Sequence, residues 1–152
     1  MDPMLFGLFL IAAGASAATG VLFQPGDWYR ALSKPRWVPP NRAFPIVWTA
    51  LYLLMAWAAA RVAHLPGSGT ALALWAVQMC WNTLWTPVFF GLHRARAALW
   101  VIAGLWVAVA LCAVAFATLD QLTLVAWVPY LVWVTVAAAL NLAILRRNPS
   151  VA

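Results

Sequence analysis

The sequence predicts an all-α membrane protein: a five-transmembrane-helix bundle with its N-terminus outside and its C-terminus in the cytoplasm. Three observations carry this. Only 8% of the residues are charged and 66% are hydrophobic, whereas a soluble domain carries about 25% charged residues. That is too little charge to solvate a globule of this size. The chain also divides into five uncharged runs separated by short turns. Finally, the basic residues segregate. Arg30, Lys34, Arg36, Arg42, Arg94, Arg96, Arg146 and Arg147 fall on one side of such a bundle, and Arg61 alone on the other. The positive-inside rule makes the richer side cytoplasmic. The same topology accounts for the net charge of +6, so nucleic acid is not expected as a partner.

The chain reads as a single domain over 1–152, with helices at about 4–23, 43–63, 70–92, 96–119 and 121–146. Met4 to Phe23 is 20 residues without a charge, about 30 Å as a helix. Ala15-Ser16-Ala17 is similar to a signal-peptidase site. No basic residue precedes the run, so an uncleaved first helix is expected. Its Ala13, Gly14, Ser16, Ala17 and Gly20 give small-residue spacings that allow close helix packing. Gln24-Pro25-Gly26-Asp27 ends it.

The second helix starts with Asn41 as its expected N-cap and Pro45 in the first turn. Arg61 closes it, and His64 to Gly69 form a turn. The third run, Thr70 to Leu92, is the most polar, with Gln78, Asn82, Thr83, Thr86 and Pro87. His93-Arg94-Ala95-Arg96 is a basic turn. Asp120 ends the fourth run. Pro129 is expected to bend the fifth, which stops at Arg146-Arg147-Asn148-Pro149.

The connector 24–42 is not an ordinary turn. From Trp28 to Pro45 the chain reads WYRALSKPRWVPPNRAFP, with four of the nine basic residues, two tryptophans and four prolines. We read it as a lid on a pocket among the helices, with Trp28, Lys34, Arg36, Pro39 and Pro40 as lid residues. Helical spacing groups Gln78, Trp81, Asn82 and Trp85 on one face, Trp48 and Tyr52 on another, and Pro129, Trp133, Ala137 and Asn141 on a third. Polar side chains in a membrane helix turn into the bundle. Counting ~1.5 Å per residue puts these faces roughly 5–15 Å below the lid, with Trp133 deeper. The expected ligand-binding set is Trp37, Trp48, Tyr52, Asn82, Trp85, Trp133, Ala137 and Asn141. Aromatic walls with a few amides suit a large, flat, mostly apolar ligand. Basic lid residues would meet its carboxylates. The competing reading makes the tryptophans interfacial anchors and the amides interhelical glue.

No Asp, Glu, Lys or Arg lies inside a run, which argues against an ion-coupled pump. His64 and His93 flank turns, and no metal ligand set is expected. Cys80 and Cys112 sit in apolar runs without a CxxC, as buried thiols do. No nucleophile–base pair is visible, so any catalysis would fall to tryptophan itself, with Trp48 and Trp133 the candidates.

The sequence resembles the translocator protein family, the tryptophan-rich sensory proteins (TspO/MBR), whose animal members are called peripheral benzodiazepine receptors. The resemblance rests on Trp28-Tyr29, Leu32, Lys34-Pro35, Trp37 and Pro39-Pro40. It continues through Pro45, Trp48, Trp81-Asn82, Trp85, Pro87 and Phe89-Phe90-Gly91, then Pro129-Tyr130, Trp133 and Leu140-Asn141. It implies a five-helix bundle, usually a homodimer in the lipid bilayer, whose first loop closes a ligand cavity. The implied ligands are porphyrins such as protoporphyrin IX, sterols and synthetic benzodiazepine-site molecules, with no obligatory cofactor. Sterol recognition is the least expected, because Leu142 to Arg147 reads LAILRR and lacks the family motif's tyrosine. Two functions follow: a receptor or carrier in tetrapyrrole and stress sensing or transport, which is favoured, and a light-dependent porphyrin-degrading enzyme using Trp48 and Trp133. A third reading is an assembly partner that binds no small molecule. The charge bias favours the bacterial inner membrane, with the outer membrane as the alternative.

Overall fold

A computed structural model describes residues 2–149. Among them the chain is helical and contains no strand. Helix α1 (Pro3–Leu22) begins at Asp2, whose carboxylate accepts from the Met4 N–H at 2.8 Å. Pro3 loses nothing at this position, since the first N–H groups of a helix have no internal partner. A five-residue helix, α2 (Asp27–Ala31), follows within the lid segment. Helix α3 spans Ala43–Val62. Asn41 does not cap it. Arg42 takes that place in a helical conformation, and the Ala43 N–H bonds the Pro40 carbonyl at 2.8 Å. The backbone turn closes this end, so no extended residue is left to present a side-chain cap.

Helix α4 runs Ser68–Thr86 and widens into a π-helical turn, Pro87–Gly91. Pro87 has no N–H to continue the α pattern. The chain re-forms its bonding at wider spacing, with the Leu92 N–H reaching the Pro87 carbonyl at 2.8 Å. Helix α5 is Ala95–Leu119, and α6 is Leu124–Arg147, led by a 3-10 turn at Gln121–Thr123. Helix α6 continues through Pro129.

Among the described residues, four helices are long and apolar enough to cross a membrane: α1, α3, α5 and α6 with its leading turn. Helix α4 is 19 residues long, but Gln78, Asn82 and its threonines dilute its hydropathy. The five long helices form a ring in which α1 neighbours α3, α3 neighbours α6, then α5, then α4, which returns to α1. Met55, Cys112, Phe116, Trp127, Tyr130 and Val134 fill its centre. Helix α1 is the most loosely held, burying only Ala13 and Ser16. Ser16 fastens it to α4 through a hydroxyl contact with Thr83. Ile11 and Trp100 are about three-quarters exposed on the outer surface, where lipid satisfies apolar side chains.

The two ends of the ring differ. One is closed by short turns, with Arg61 paired to Asp120 and His64 placed 3.5 Å from Asp2. The other carries the lid, the π turn and the end of α6. There Tyr29, Leu32, Val88, Phe89, Ala95, Ala98, Val101, Leu140 and Ile144 form a second apolar cluster.

Candidate functional site

Four polar side chains from three helices meet in the ring's interior. Tyr52 on α3 donates its hydroxyl to Asn82 Oδ1 on α4 at 2.9 Å. Asn82 Nδ2 donates to Tyr130 Oη on α6 at 2.8 Å, and Tyr130 donates to Gln78 Oε1 at 3.0 Å. Gln78, Asn82 and Tyr130 are buried. A polar chain of this kind fixes the mutual rotation of three helices, because any slip orphans a buried group.

Aromatic rings surround the chain. Trp48 stacks on Tyr52, centroids 5.6 Å apart, and sets its edge against Tyr130 at 6.0 Å. Trp133 meets Phe44 edge to face at 5.6 Å. Trp85 stacks on Phe89 at 5.2 Å, which links the interior to the cluster beneath the lid. Ala137 packs against the central core. The structure thus brings Trp48, Tyr52 and Asn82 together, with Trp85, Trp133 and Ala137 packed against the same core. Trp133 Nε1, Trp85 Nε1, Trp127 Nε1 and Gln78 Nε2 are buried without a hydrogen-bond partner. Native interiors leave few such groups.

Two expected residues lie elsewhere. Asn141 is 1% exposed and faces α5, donating to the Ala95 carbonyl at 3.1 Å and accepting from the Leu99 N–H at 3.0 Å. It joins helices α5 and α6 as interhelical glue. Trp37 is 52% exposed and lies outside the cluster. Trp81 is also turned outward, its ring seated against Gly104 on α5.

Sequence reasoning missed Tyr130, although a signal was present. The α6 stripe was stepped every four residues, which drifts by about 40° per step on a 3.6-residue helix. The buried stripe is Trp127, Tyr130, Val134 and Asn141, one residue away from Pro129 and Trp133. Phe44 carried no signal beyond being apolar.

The lid is held by its own contacts. Tyr29 is buried and meets Phe89 and Phe90 edge to face; burial pushes its phenol up from the ordinary value. Trp28 stacks on His93 at 4.5 Å. Lys34 Nζ donates to the carbonyls of Tyr29 (2.6 Å), Leu32 (3.0 Å) and Arg30 (3.2 Å) and lies 4.7 Å over the Tyr29 ring. It caps the C-terminal end of α2, where carbonyls lack partners and the helix dipole favours a cation. Arg30 pairs with Asp27, whose carboxyl it holds below the usual range. Arg36 and Pro40 are exposed, and Pro39 is half-buried. Asn148, beyond α6, accepts from the Ser33 N–H at 2.9 Å and donates to the Ser33 carbonyl at 3.0 Å.

Packed side chains make up the centre of the ring. Two recesses lie on the outer surface. One of about 490 Å³ is lined by Ala113, Val114, Ala117, Thr118, Gln121 and Leu124. Another of about 390 Å³ lies between α1 and α4. Among the described residues no group of three His, Cys, Asp or Glu side chains comes together. Cys80 and Cys112 are free thiols, and Cys80 is exposed rather than buried.

The model of the TspO/MBR family matches residues 6–147. A tryptophan-rich sensory protein of Cereibacter sphaeroides is 52% identical over 97% of this chain and 94% of its own length. Protein CrtK of Rhodobacter capsulatus is 47% identical over 98% of this chain and 96% of its own. The human translocator protein is 31% identical over 92% of this chain and 88% of its own. With the apolar helices, these matches identify a membrane protein, and the chain belongs to the TspO/MBR family.

Proposed function

We propose that this protein is a membrane receptor or carrier for porphyrin-like ligands, in tetrapyrrole or stress sensing or in transport. Its binding residues are Trp48, Tyr52, Asn82, Trp85, Trp133 and Ala137, and the 24–42 segment is its lid. The observation that carries the reading is the aromatic cluster around the Tyr52–Asn82–Tyr130–Gln78 chain, with unpartnered indole N–H groups beside it. Flat rings stack on such walls, and polar groups orient them. Because packed side chains make up the ring's centre, ligand entry on this reading requires the lid to lift and the rings to part.

On this reading all five long helices span the bilayer. Helix α4 is tolerated as a span because its polar face turns inward. The basic lid then lies on the cytoplasmic side with the C-terminus. A homodimer is part of the proposal, with sterols and benzodiazepine-site molecules as further ligand classes. Titration with protoporphyrin IX in detergent, followed by tryptophan quenching, tests the pocket. Saturable binding is expected for the wild type and is expected to be lost in Trp48→Ala and Trp133→Ala. Undiminished binding in both variants rejects the assignment.

A second reading, light-dependent porphyrin breakdown, is favoured by one observation. Trp48 contacts Tyr130, which lies 6.2 Å from Trp127 between ring centroids. These rings would place oxidisable side chains next to the ligand. Illumination of the complex should bleach the porphyrin faster than free porphyrin in the same detergent; equal rates remove this reading.

A further inference from the structure

The outer edge of the 24–42 segment is built from two successive turns. In the first, the Val38 N–H bonds the Pro35 carbonyl at 3.2 Å, with Arg36 and Trp37 at the tip. Pro35 is buried, and Val38 packs on the apolar cluster at this end of the ring. The turn is therefore seated on both flanks, and its tip faces out: Arg36 is exposed and Trp37 is 52% exposed. In the second, the Ala43 N–H bonds the Pro40 carbonyl at 2.8 Å, with Asn41 and Arg42 at the tip, both exposed.

These two arginines lack a partner within the chain. It has three acidic side chains, and each is engaged: Asp27 with Arg30, Asp120 with Arg61, and Asp2 with His64. Lys34 is occupied by three carbonyls of its own segment. Among the described residues, Arg36 and Arg42 form no ion pair. Their counter-ion comes from outside the chain.

The position of Arg42 says from where. Arg42 is helical in conformation and stands four residues before Ile46, so the two share one face of α3. Ile46 is 68% exposed, and Thr49, Ala50 and Leu53 continue the exposed stripe down the helix. Helix α3 is long and apolar enough to cross a membrane, so this stripe meets lipid chains and Arg42 stands one turn above them, at headgroup depth. A half-exposed indole such as that of Trp37 suits the same layer, where its ring is apolar and its N–H wet. Guanidinium groups bind phosphate through paired N–H donors.

We propose that Arg36, Trp37 and Arg42 dock the outer edge of the 24–42 segment on the anionic phospholipid headgroups of the adjacent leaflet. The three side chains face outward while the segment is seated, so headgroup contacts hold it in that position. This rests on α3 crossing the bilayer and not on any ligand in the ring.

Hydrogen exchange of the full chain in nanodiscs tests it, read at the Ser33, Val38 and Ala43 amides, each bonded in the seated segment. Adding phosphatidylglycerol to phosphatidylcholine discs should slow exchange there. Arg36→Gln and Arg42→Gln should each remove about fivefold of that slowing. Arg96→Gln, an exposed arginine outside the segment, should keep it in full. Trp37→Ala should speed exchange in both kinds of disc, because an interfacial indole anchors without charge. Equal exchange in the two kinds of disc overturns the proposal. So does slowing that survives Arg36→Gln with Arg42→Gln, or that Arg96→Gln lowers as much, since bulk surface charge then acts alone. Inorganic phosphate that reproduces the slowing in phosphatidylcholine discs also overturns it, in favour of a small-anion site.

Discussion

The two ends of the bundle close in different ways. At the Asp120 end the connections are short and ionic: Arg61 holds Asp120, and Asp2 caps α1 within reach of His64. At the lid end the connection is long, aromatic and mostly uncharged in its fastenings. Tyr29 is anchored on Phe89 and Phe90, Trp28 lies on His93, and Asn148 grips Ser33. The first end is cross-linked between elements that have no room to move. The second is a flap whose Tyr29 and Leu32 complete an apolar cluster with Val88, Phe89, Val101 and Ile144. On the proposed function, the difference points to the lid end as the route of access. On the proposed lid role, a flap held by the Tyr29 ring, buried Leu32, the Trp28 stack and two amide bonds is expected to open at lower cost than a bundle end.

The contrast breaks most severely at Tyr29. Tyr29→Ala removes the flap's buried ring and should weaken its docking by about 3–5 kcal/mol. Limited proteolysis is expected to cut within 24–42, while the helical circular dichroism of the bundle is unchanged. Resistance equal to the wild type would mean that other contacts seat the flap. Asn148→Ala is milder. It deletes two bonds to Ser33, about 1 kcal/mol in an exposed setting, and should raise the open population roughly fivefold. The ligand association rate should rise by a similar factor, measured by stopped-flow mixing. An unchanged rate would place the gate elsewhere.

Acid gives the smallest effect and sharpens the comparison from the other end. The Asp120 carboxyl is held below the usual range, first by the Leu122 N–H and then by Arg61. Asp2 is held low first by the Met4 N–H, and after it by Leu5 and His64. A carboxyl whose pKa falls on folding stabilises the fold above its unfolded value of about 4. That contribution is lost as pH drops through the lower folded value. Hydrogen-exchange protection factors, taken relative to the intrinsic rate at each pH, should therefore fall near Asp2 and Asp120 below about pH 4, while that of the Ser33 N–H, bonded to a non-titrating amide, holds. Equal sensitivity at both ends would show that acid acts on the bundle as a whole.

Much of the fold was legible in the sequence, because membrane spans are written as long uncharged runs and the unusual 24–42 connector as an excess of Trp, Pro and Arg. Trp48, Tyr52 and Asn82 were found because helical spacing and the cost of polar groups in lipid both point inward. What was not legible depended on contacts distant in sequence. Nothing local marks Asn148 as the partner of Ser33, 115 residues away. Lys34 read as a free cation because α2 was not foreseen: five residues are too few for a periodic signal, and a helix end is what occupies that ammonium. The interior face of α6 runs through Trp127, Tyr130 and Val134, one residue from Pro129 and Trp133, because a four-residue step drifts around a 3.6-residue helix.

The grip of Asn148 on Ser33 has a practical consequence for anyone handling the protein. Asn148 lies just past the last turn of α6, so a segment fused downstream of it bears on the residue that holds Ser33. On the proposed lid role, a purification handle, a fluorescent reporter or a surface tether there is expected to alter gating before any ligand is added. A label carried ahead of α1, at the opposite end of the ring, leaves that hinge alone. Attached deliberately behind Asn148, a pulling handle becomes a lever, and the force at which the flap gives way measures its latch.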